Sequence, residues 1–448
     1  LGSEQRGRSW TLARYDAAFQ PVWSVEEELD GRAFLQDQVA TDDALVLLLH
    51  QRRGALILRV DLETGAVRRV PLNLPRKTIA VDHLVVDGDR AWLQGLRGGA
   101  GAVFGGRGVV LSVDLATGAA APMKVAEAAG EKKVYLQRLG PGPTGADLVA
   151  VSIKRRRPTL HLVELGATSA ELAMRLAPAE GHALLSAQRV QAGDQTLVLG
   201  TYSRNEKALA AQGLYVAGFE GGAERFRVTH SFTSFDHFFD YLPDRRQGKV
   251  ERKAARAEGK GRDLSLGYLL NVHDLIDQGD QFLVVAEAYY PVYTTRTETT
   301  TTTDAQGNTV TRTTTTQVFQ GWRTTHCLVA AFDRQGQRRW DASFPMGDFL
   351  APTVRDNVAV RVDGERVEML YVRRGDLVTQ VATADGLELQ KAEVSPAAQA
   401  RKSWVQDAAW WYDDRFVMWG LEKVKGEGLG RRWVFALSAV SPDDGAAP

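Results

Sequence analysis

Two interleaved turn motifs recur along this chain, and together they leave few folds open. The first is a strand ending in an acid, a short turn, and a second strand. It reads LARYDAAFQPVW around Asp16, LRVDLETGAVRRV around Asp61 and LSVDLATGAAAPM around Asp114. Weaker copies lie at Glu164, Glu220, Asp333 and near Asp385, and a last one, VFALSAVSPDDG, fades toward the C-terminus. The steps are roughly 45 to 56 residues, apart from one of about double length between Glu220 and Asp333. The second motif is a tight acidic turn between apolar strands: ATDDALVLLL, VVDGDRAWLQG, PTGADLVAVSI, QAGDQTLVLG, IDQGDQFLVVA, VDGERVEMLYV and WYDDRFVMWG. Asp-Gly and Gly-Asp pairs suit the positive φ of tight hairpins. The flanking residues are β-branched or aromatic, which favours strand.

Two hairpins per period make a four-stranded antiparallel module, and such modules repeated around an axis are propeller blades. Closing the ring removes the exposed edges of a long β array. A tandem of β-sandwiches would show irregular strand spacing in place of this alternation. The expectation is therefore an all-β fold, one β-propeller domain over residues 1–448, with seven four-stranded blades and eight as the alternative. Seven acidic turns stand beside eight copies of the other unit. In the seven-blade reading the N-terminal strands complete the last blade.

The bulk numbers narrow the function. The 448 residues carry 55 bases and 55 acids, a formal net charge of zero. That argues against a nucleic-acid or anionic-membrane binder. No apolar run approaches the roughly 18 residues of a membrane span, and the start, LGSEQRGRSW, does not read as a secretory signal. The first residue is Leu1, which leaves earlier removal of a leader open. The single cysteine, Cys327 in HCLVAAF, excludes an internal disulfide and a multi-cysteine zinc site and reads as a small buried hydrophobe.

The VDxxTGxxxW-like unit resembles the repeat of quinoprotein-like and WD40-like β-propellers. LARYDAAFQPVW with Trp23 and VAAFDRQGQRRW with Trp340 match best; Val70 and Met123 stand where the motif has Trp. The stretch AEAYYPVY through FQGWRTTHCLVAAFD is similar to secreted bacterial propellers of unassigned function. The resemblance implies a fold. Quinoprotein-like propellers bind a cofactor over the channel with a metal, and no residue set for that is found here, so no cofactor and no metal are expected.

The doubled step holds two insertions. The first, residues 236–262, follows the last strand of one unit; the second, residues 293–322, carries fourteen threonines between the second and third strands of the next. Strand alternation puts both on one face. The first should be basic and partly helical, the second a Thr-rich β-hairpin turning at DAQGN. Other loops on that face are 97–108, 203–213 and 422–432. Long loops within compact domains are commonly functional.

Candidate binding residues cluster there. His237, Phe238, Phe239 and Tyr241 precede Arg245, Arg246 and further bases through Arg262; they read as a docking surface for an acidic partner, or as a solvated helix pinned by its aromatics. His237, His273, Asp274 and His326 lack zinc-ligand spacing; His273-Asp274 reads more readily as hydrogen bonding to a neighbouring blade, and His326 stands just ahead of a buried run. Tyr289, Tyr290, Tyr293 and Trp322 flank the threonines and either stack on a ligand or staple the hairpin. Trp404, Trp410, Trp411 and Trp419 read as packing between blades. The Gly-rich loop 97–108 lacks the Gly-Lys-Ser/Thr of a phosphate loop, and neither G-x-S-x-G nor H-E-x-x-H occurs. No catalytic residue is nominated. The expected function is a non-catalytic scaffold outside the cytoplasm (periplasmic, outer-membrane-associated or secreted) gripping a protein or glycan on the insertion face. The alternative is an enzyme at the channel mouth, a quinoprotein-like dehydrogenase or a propeller hydrolase or lyase.

Overall fold

The computed structural model describes residues 5–6, 9–51, 54–72, 74, 78–97, 107–155, 157–178, 182–193, 195–204, 210–259, 264, 268–303, 309–351, 354–373, 376–388, 403–412, 415–425 and 431–440. Eight antiparallel sheets follow one another along these residues. The first holds strands Gln5–Arg6, Ser9–Tyr15 and Pro21–Glu28. The second holds Ala33–Ala40, Ala44–Gln51, Gly54–Asp61 and Val67–Pro71. The third runs Thr78–Asp87, Arg90–Arg97, Arg107–Asp114, Ala120–Pro122, and the fourth Tyr135–Gly142, Gly145–Lys154, Arg157–Leu165, Ala170–Leu176. The fifth has a broken inner strand, Ala183–Leu184 and Gln188–Ala192, then Gln195–Ser203, Gly213–Glu220 and Ala223–Ser231. The sixth likewise opens on Leu269–Val272 and Ile276–Asp277, then Gln281–Thr303, Thr309–Asp333 and Arg338–Ala351. Val358–Asp363, Arg366–Arg373, Asp376–Thr383 and Gly386–Glu388 form the seventh, and Ser403–Tyr412, Arg415–Lys425 and Arg431–Val440 the eighth.

This repeated meander is the blade of an all-β propeller. The seven acidic turns each join the first two strands of a sheet, and seven of the eight acid-plus-turn motifs join the last two, as their spacing predicts; the turn of the eighth, after Val440, lies outside the described residues. The sheet count is eight, the larger of the two expected values. The first three strands pair among themselves as a sheet of their own. By contact density the chain divides into two units, Leu1–Ala208 with Ala217–Arg225, and Leu209–Val216 with Phe226–Pro448.

In the first unit, alternate residues of one strand serve two interfaces. Leu45, Leu47 and Leu49 pack with Trp10, Leu12 and Leu29 of the first sheet. Val46 and Leu48, on the opposite face of the same strand, pack with Val81, Leu84, Leu93 and Leu111 of the third. Trp92 and Val110 then join Leu139, Leu148 and Val163 of the fourth. In the second unit the sixth and seventh sheets share a core of Val329, Phe344, Met369 and Tyr371, and Leu370 meets Phe416 and Met418 of the eighth. Among the described residues no helix is long and apolar enough to cross a membrane.

The acid of the repeat has a local task. Asp61 Oδ1 accepts from Glu63 N at 3.1 Å and from Thr64 N and Oγ1, both at 2.7 Å. Asp114 is capped the same way by Thr117 N and Oγ1 at 2.8 and 2.9 Å. The threonine hydrogen bonds hold both carboxyls below their ordinary pKa. The motif's Trp seals the neighbouring sheet's turn: Trp23 Nε1 donates to Leu62 O at 3.0 Å, and its ring lies against Gly65, whose φ is +72°.

Gly65→Ala and Gly88→Ala both force a side chain into the left-handed region, costing roughly 1–2 kcal/mol each. At Gly65 the new Cβ also meets Trp23 Cδ2 at 2.8 Å, whereas nothing lies within 4 Å at Gly88. Gly65→Ala should therefore shift the urea midpoint further, with a change in Trp fluorescence. Equal midpoints would show that Trp23 does not close this turn.

Candidate functional site

The helical insertion begins as a buried aromatic plug. After Ser231, a 3-10 turn at Phe232–Ser234 is capped by Ser231 Oγ. Phe232 and Phe238 are fully buried and stack at 4.4 Å with 13° between planes. Tyr268 meets both edge-on. Asp341 accepts from Asp236 N at 3.1 Å and His237 N at 2.8 Å and pairs with Arg338. The plug then reaches the root of the Thr-rich hairpin. Tyr241 stacks on His326 at 3.7 Å, nearly parallel, and its hydroxyl meets that of Tyr268 at 2.6 Å. A ring stack thus ties the helical insertion to the strand Thr309–Asp333 that carries one side of the Thr-rich hairpin.

Each residue singled out in this insertion has a definite place. Phe238 and Phe239 are buried, filling the core and not facing a ligand. His237 is half-exposed and bonded through Nδ1 to Asp240 at 2.8 Å. Arg245 and Arg246 are exposed in the first turn of the helix Asp244–Glu258. That helix carries six bases and three acids, and its exposed Arg252, Lys253 and Arg256 extend the same basic surface. Lys260 and Arg262 lie outside the described residues, as do residues 98–106, 205–209 and 426–430 of the loops 97–108, 203–213 and 422–432, and the DAQGN turn.

The Thr-rich segment is a long two-stranded arm. Gln281–Thr303 and Thr309–Asp333 stay paired from Gln281↔Asp333 out to Thr303↔Thr309. Two register shifts, at Ala288/Tyr289 and Val292/Tyr293, interrupt the ladder at its root; such bulges re-aim side chains. Four rings run in edge-to-face contact along one face: Tyr293–Phe319 at 5.6 Å, Phe319–Trp322 at 5.3 Å and Trp322–Tyr289 at 5.3 Å. Tyr293 and Phe319 are 53% and 42% exposed, enough to offer ring faces to a ligand. Tyr290, one residue along, points to the opposite face and is also exposed.

At its inner end this strip meets a shallow crevice lined by Asn271, Glu287, Tyr289, Trp322, Thr324 and Arg355, among others. Glu287 is buried and saturated. It accepts from His273 Nε2 at 2.9 Å, Asn357 N at 2.6 Å, Asn357 Nδ2 at 2.7 Å and Val358 N at 3.1 Å. It therefore clasps the loop before the seventh sheet onto the sixth. Asn271 Nδ2 donates to Asp356 at 2.8 Å, and Arg355 pairs with Asp407 at 3.2 Å. Burial raises the Asp407 carboxyl against the opposing pull of Arg355. His273 is buried and Asp274 exposed; both lie where the inner strand is interrupted. No group of three or more His, Cys, Asp or Glu among the described residues is arranged to hold a metal.

The structure brings Tyr289 and Trp322 together, and His273 joins them through Glu287. His326 belongs to the plug and not to the crevice. It is fully buried, with Nδ1 bonded to Thr325 Oγ1 at 2.9 Å and Nε2 without a hydrogen-bond partner. Burial pushes its pKa down to about 3, so it is neutral at physiological pH. Cys327 is buried, and burial holds its thiol well above the ordinary range. Sequence reasoning missed Glu287, Phe319, Arg355 and Asn357. Glu287 had a signal, a lone acid inside the apolar run FLVVAEA. Phe319 had one too, in QVFQGW facing YYPVY across the hairpin.

No family model matches the chain, and no curated protein matches it in sequence. Among solved structures it is similar to a prolyl endopeptidase (10% identity, TM-score 0.44), covering 92% of this chain and 51% of that one. It thus spans about half the length of that protein. It is also similar to the β-propeller domain of the trilobed protease from Pyrococcus furiosus (10%, TM-score 0.38, covering 92% and 95%). A dihydro-heme d1 dehydrogenase is a third (9%, TM-score 0.47, covering 98% and 74%). The fold assignment rests on the sheets themselves.

The buried neutral His326 has a pH signature. Its pKa is lowered in the folded state, from an ordinary 6.5 to about 3. The unfolded chain therefore binds one more proton between those values, and stability falls as pH drops through that window. Its contribution to the slope approaches about 1.4 kcal/mol per pH unit. His326→Phe, which keeps a ring under Tyr241, should remove that slope between pH 6 and pH 4 in urea titrations. An unchanged slope would show that His326 titrates normally.

Proposed function

We propose that this propeller is a non-catalytic binding module that captures a protein or glycan partner, outside the cytoplasm, along the arm and the adjoining basic helix. The observation that carries this reading is the aromatic strip of Tyr293, Phe319, Trp322 and Tyr289, continuous with an exposed arm that does not serve the core. On the opposite face, Val318 and Leu350 add exposed apolar surface at the root, at 37% and 46%. Large apolar side chains held in solvent around one feature are typical of interaction surfaces. The zero net charge of the chain fits a partner that is not a nucleic acid.

An enzyme at the inner strands is the second reading, and it draws on a separate set in the first unit. His83 Nδ1 lies 2.9 Å from Asp37, and its Nε2 lies 2.9 Å from Leu139 O. The hydrogen bond with Asp37 raises the His83 pKa, and burial raises that of Asp82. This reading stands second because both nitrogens of His83 are engaged. Asp37 also accepts from Leu84 N at 2.8 Å, which leaves this pair without a free acid or base.

Deleting residues 236–262 would remove Phe238 from the core, so the test keeps that plug. A photo-crosslinking residue at Thr299 should capture one partner when the chain is expressed in its native host. The same residue at Ile153, 56% exposed on the first unit, should not. Replacing Thr295–Gln317 by Asn-Gly should abolish capture from a crosslinker at Leu350, with the urea midpoint of the core unchanged. Identical adducts from Thr299 and Ile153, or none from either, would sink the binding reading.

A further inference from the structure

We infer that the aromatic face of the arm is a track for a single neutral polysaccharide chain, with its inner end at the Glu287–Arg355 crevice. This rests on the binding reading above and names the ligand class for the same surface. In the ladder, Tyr289, Tyr293, Thr295, Thr297, Thr299 and Thr301 share one face of their strand. Their cross-strand partners are Thr324, Phe319, Gln317, Thr315, Thr313 and Thr311. This face has no charged side chain from Tyr289 outward. Every charge on the described arm lies on the other face: Arg323 at the root and Arg296, Glu298 and Arg312 beyond it, with Arg296 and Glu298 paired at 2.8 Å.

The chemistry of that face matches a sugar on both counts. A pyranose ring has apolar C–H faces, which stack on aromatic rings, and a rim of hydroxyls, which both donate and accept. The four rings at the root supply the first surface. The threonine hydroxyls and the Gln317 amide supply the second, since both groups donate and accept. Asn271 and Thr324 continue it into the crevice. An acidic polymer would need cations along the track, and the face holds none until Arg355 at its end. A β-strand partner would need backbone donors, which open strand edges have and a sheet face lacks.

The geometry also selects among neutral glycans. From Tyr289 to Thr301 the track runs about 40 Å at about 3.3 Å per residue, so it suits a chain and not a single sugar. Two-stranded ribbons twist strongly, so the track fits a hydrated chain that follows the twist better than a flat crystalline surface.

The test uses the full chain in native affinity electrophoresis. The neutral gels carry hydroxyethylcellulose, xyloglucan, galactomannan or laminarin, and the acidic controls alginate or polygalacturonate. At least one neutral polymer should retard the chain and neither acidic one should. Phe319→Ala and Tyr293→Ala, both at exposed positions, should each weaken retardation about tenfold. Thr299→Val keeps the β-branched shape without the hydroxyl and should cost about threefold. Arg312→Ala on the opposite face should change nothing. Retardation by no neutral polymer, by acidic polymers alone, or unaffected by the Phe319 and Thr299 variants would overturn the inference. So would self-association that Thr299→Val abolishes, which would assign the face to a second copy. A protein adduct at Thr299 without polymer retardation would sink this inference and leave the binding reading standing. Loss of both would sink the two together.

Discussion

A sheet whose central strands are apolar on both faces has to be covered twice, and that constraint organises this molecule. Ala44–Gln51 shows it most plainly: its first six residues are all buried, with odd-numbered leucines turned to one neighbouring sheet and even-numbered residues to the other. Among the described residues no second layer of helices does the covering; successive sheets cover one another. Registration between sheets then comes from directional contacts at the turns. Trp23 bonds the next sheet's Leu62 carbonyl, and Trp92 bonds Gly166 O at 3.1 Å. The capped Asp61 turn holds the first of those carbonyls in place, and a bond from Gly166 N to Ser169 O at 3.0 Å closes the turn that presents the second.

The inner strands show a second regularity. In the second, third, fourth and eighth sheets the inner strand carries an extra residue against its partner at Gln36, Asp82, Gln137 and Gln406, with a second one at Ile79 in the third and at Trp411 in the eighth. The broken inner strands of the fifth and sixth sheets do the same. Leu184 to Gln188 spans four steps against three from Leu199 to Tyr202, and Val272 to Ile276 spans four against three from Leu283 to Ala286. A recurring bulge at one level of a repeat is a structural device, since it sharpens strand twist where sheets crowd together. In the sixth sheet the interruption frees His273 to reach Glu287, so the arm's crevice is built on a feature the whole repeat shares.

This explains what could be read from the chain and what could not. Turns announce themselves through Asp, Gly and Thr, whose local hydrogen bonding is chemistry within a few residues, so strand order and both insertions were legible. Sheet count was less so. Whether Ser9–Tyr15 and Pro21–Glu28 complete another sheet or form their own depends on pairing between distant segments. The site was legible as a region and not as a set. Tyr289 and Trp322 were named together and do meet. Phe238 was named from the same run as Arg245, yet the fold buries the first and exposes the second. An aromatic beside a basic run reads alike in either role until the burial of Phe232 and Tyr268 decides it. Glu287 was hidden because its partners lie 14 and 70 residues away.

The arm itself is physically tenable only because of where it is rooted. An isolated two-stranded hairpin is marginal in water. Here the same two strands are the central strands of the sixth sheet, so nucleation and register are already settled before the arm leaves it. Beyond the root, threonine is an apt choice, because its branched Cβ restricts χ1 and suits an extended backbone. The Thr299 and Thr313 hydroxyls meet across the ladder at 3.5 Å, and those of Thr301 and Thr311 at 3.4 Å. Charges confined to one face blunt edge-to-edge aggregation of an otherwise sticky ribbon. The result is a side-chain array ordered before any ligand arrives. A partner that lies along it then meets surface whose backbone entropy has already been spent in folding, which is what lets weak contacts with hydroxyls and rings add up to specific capture.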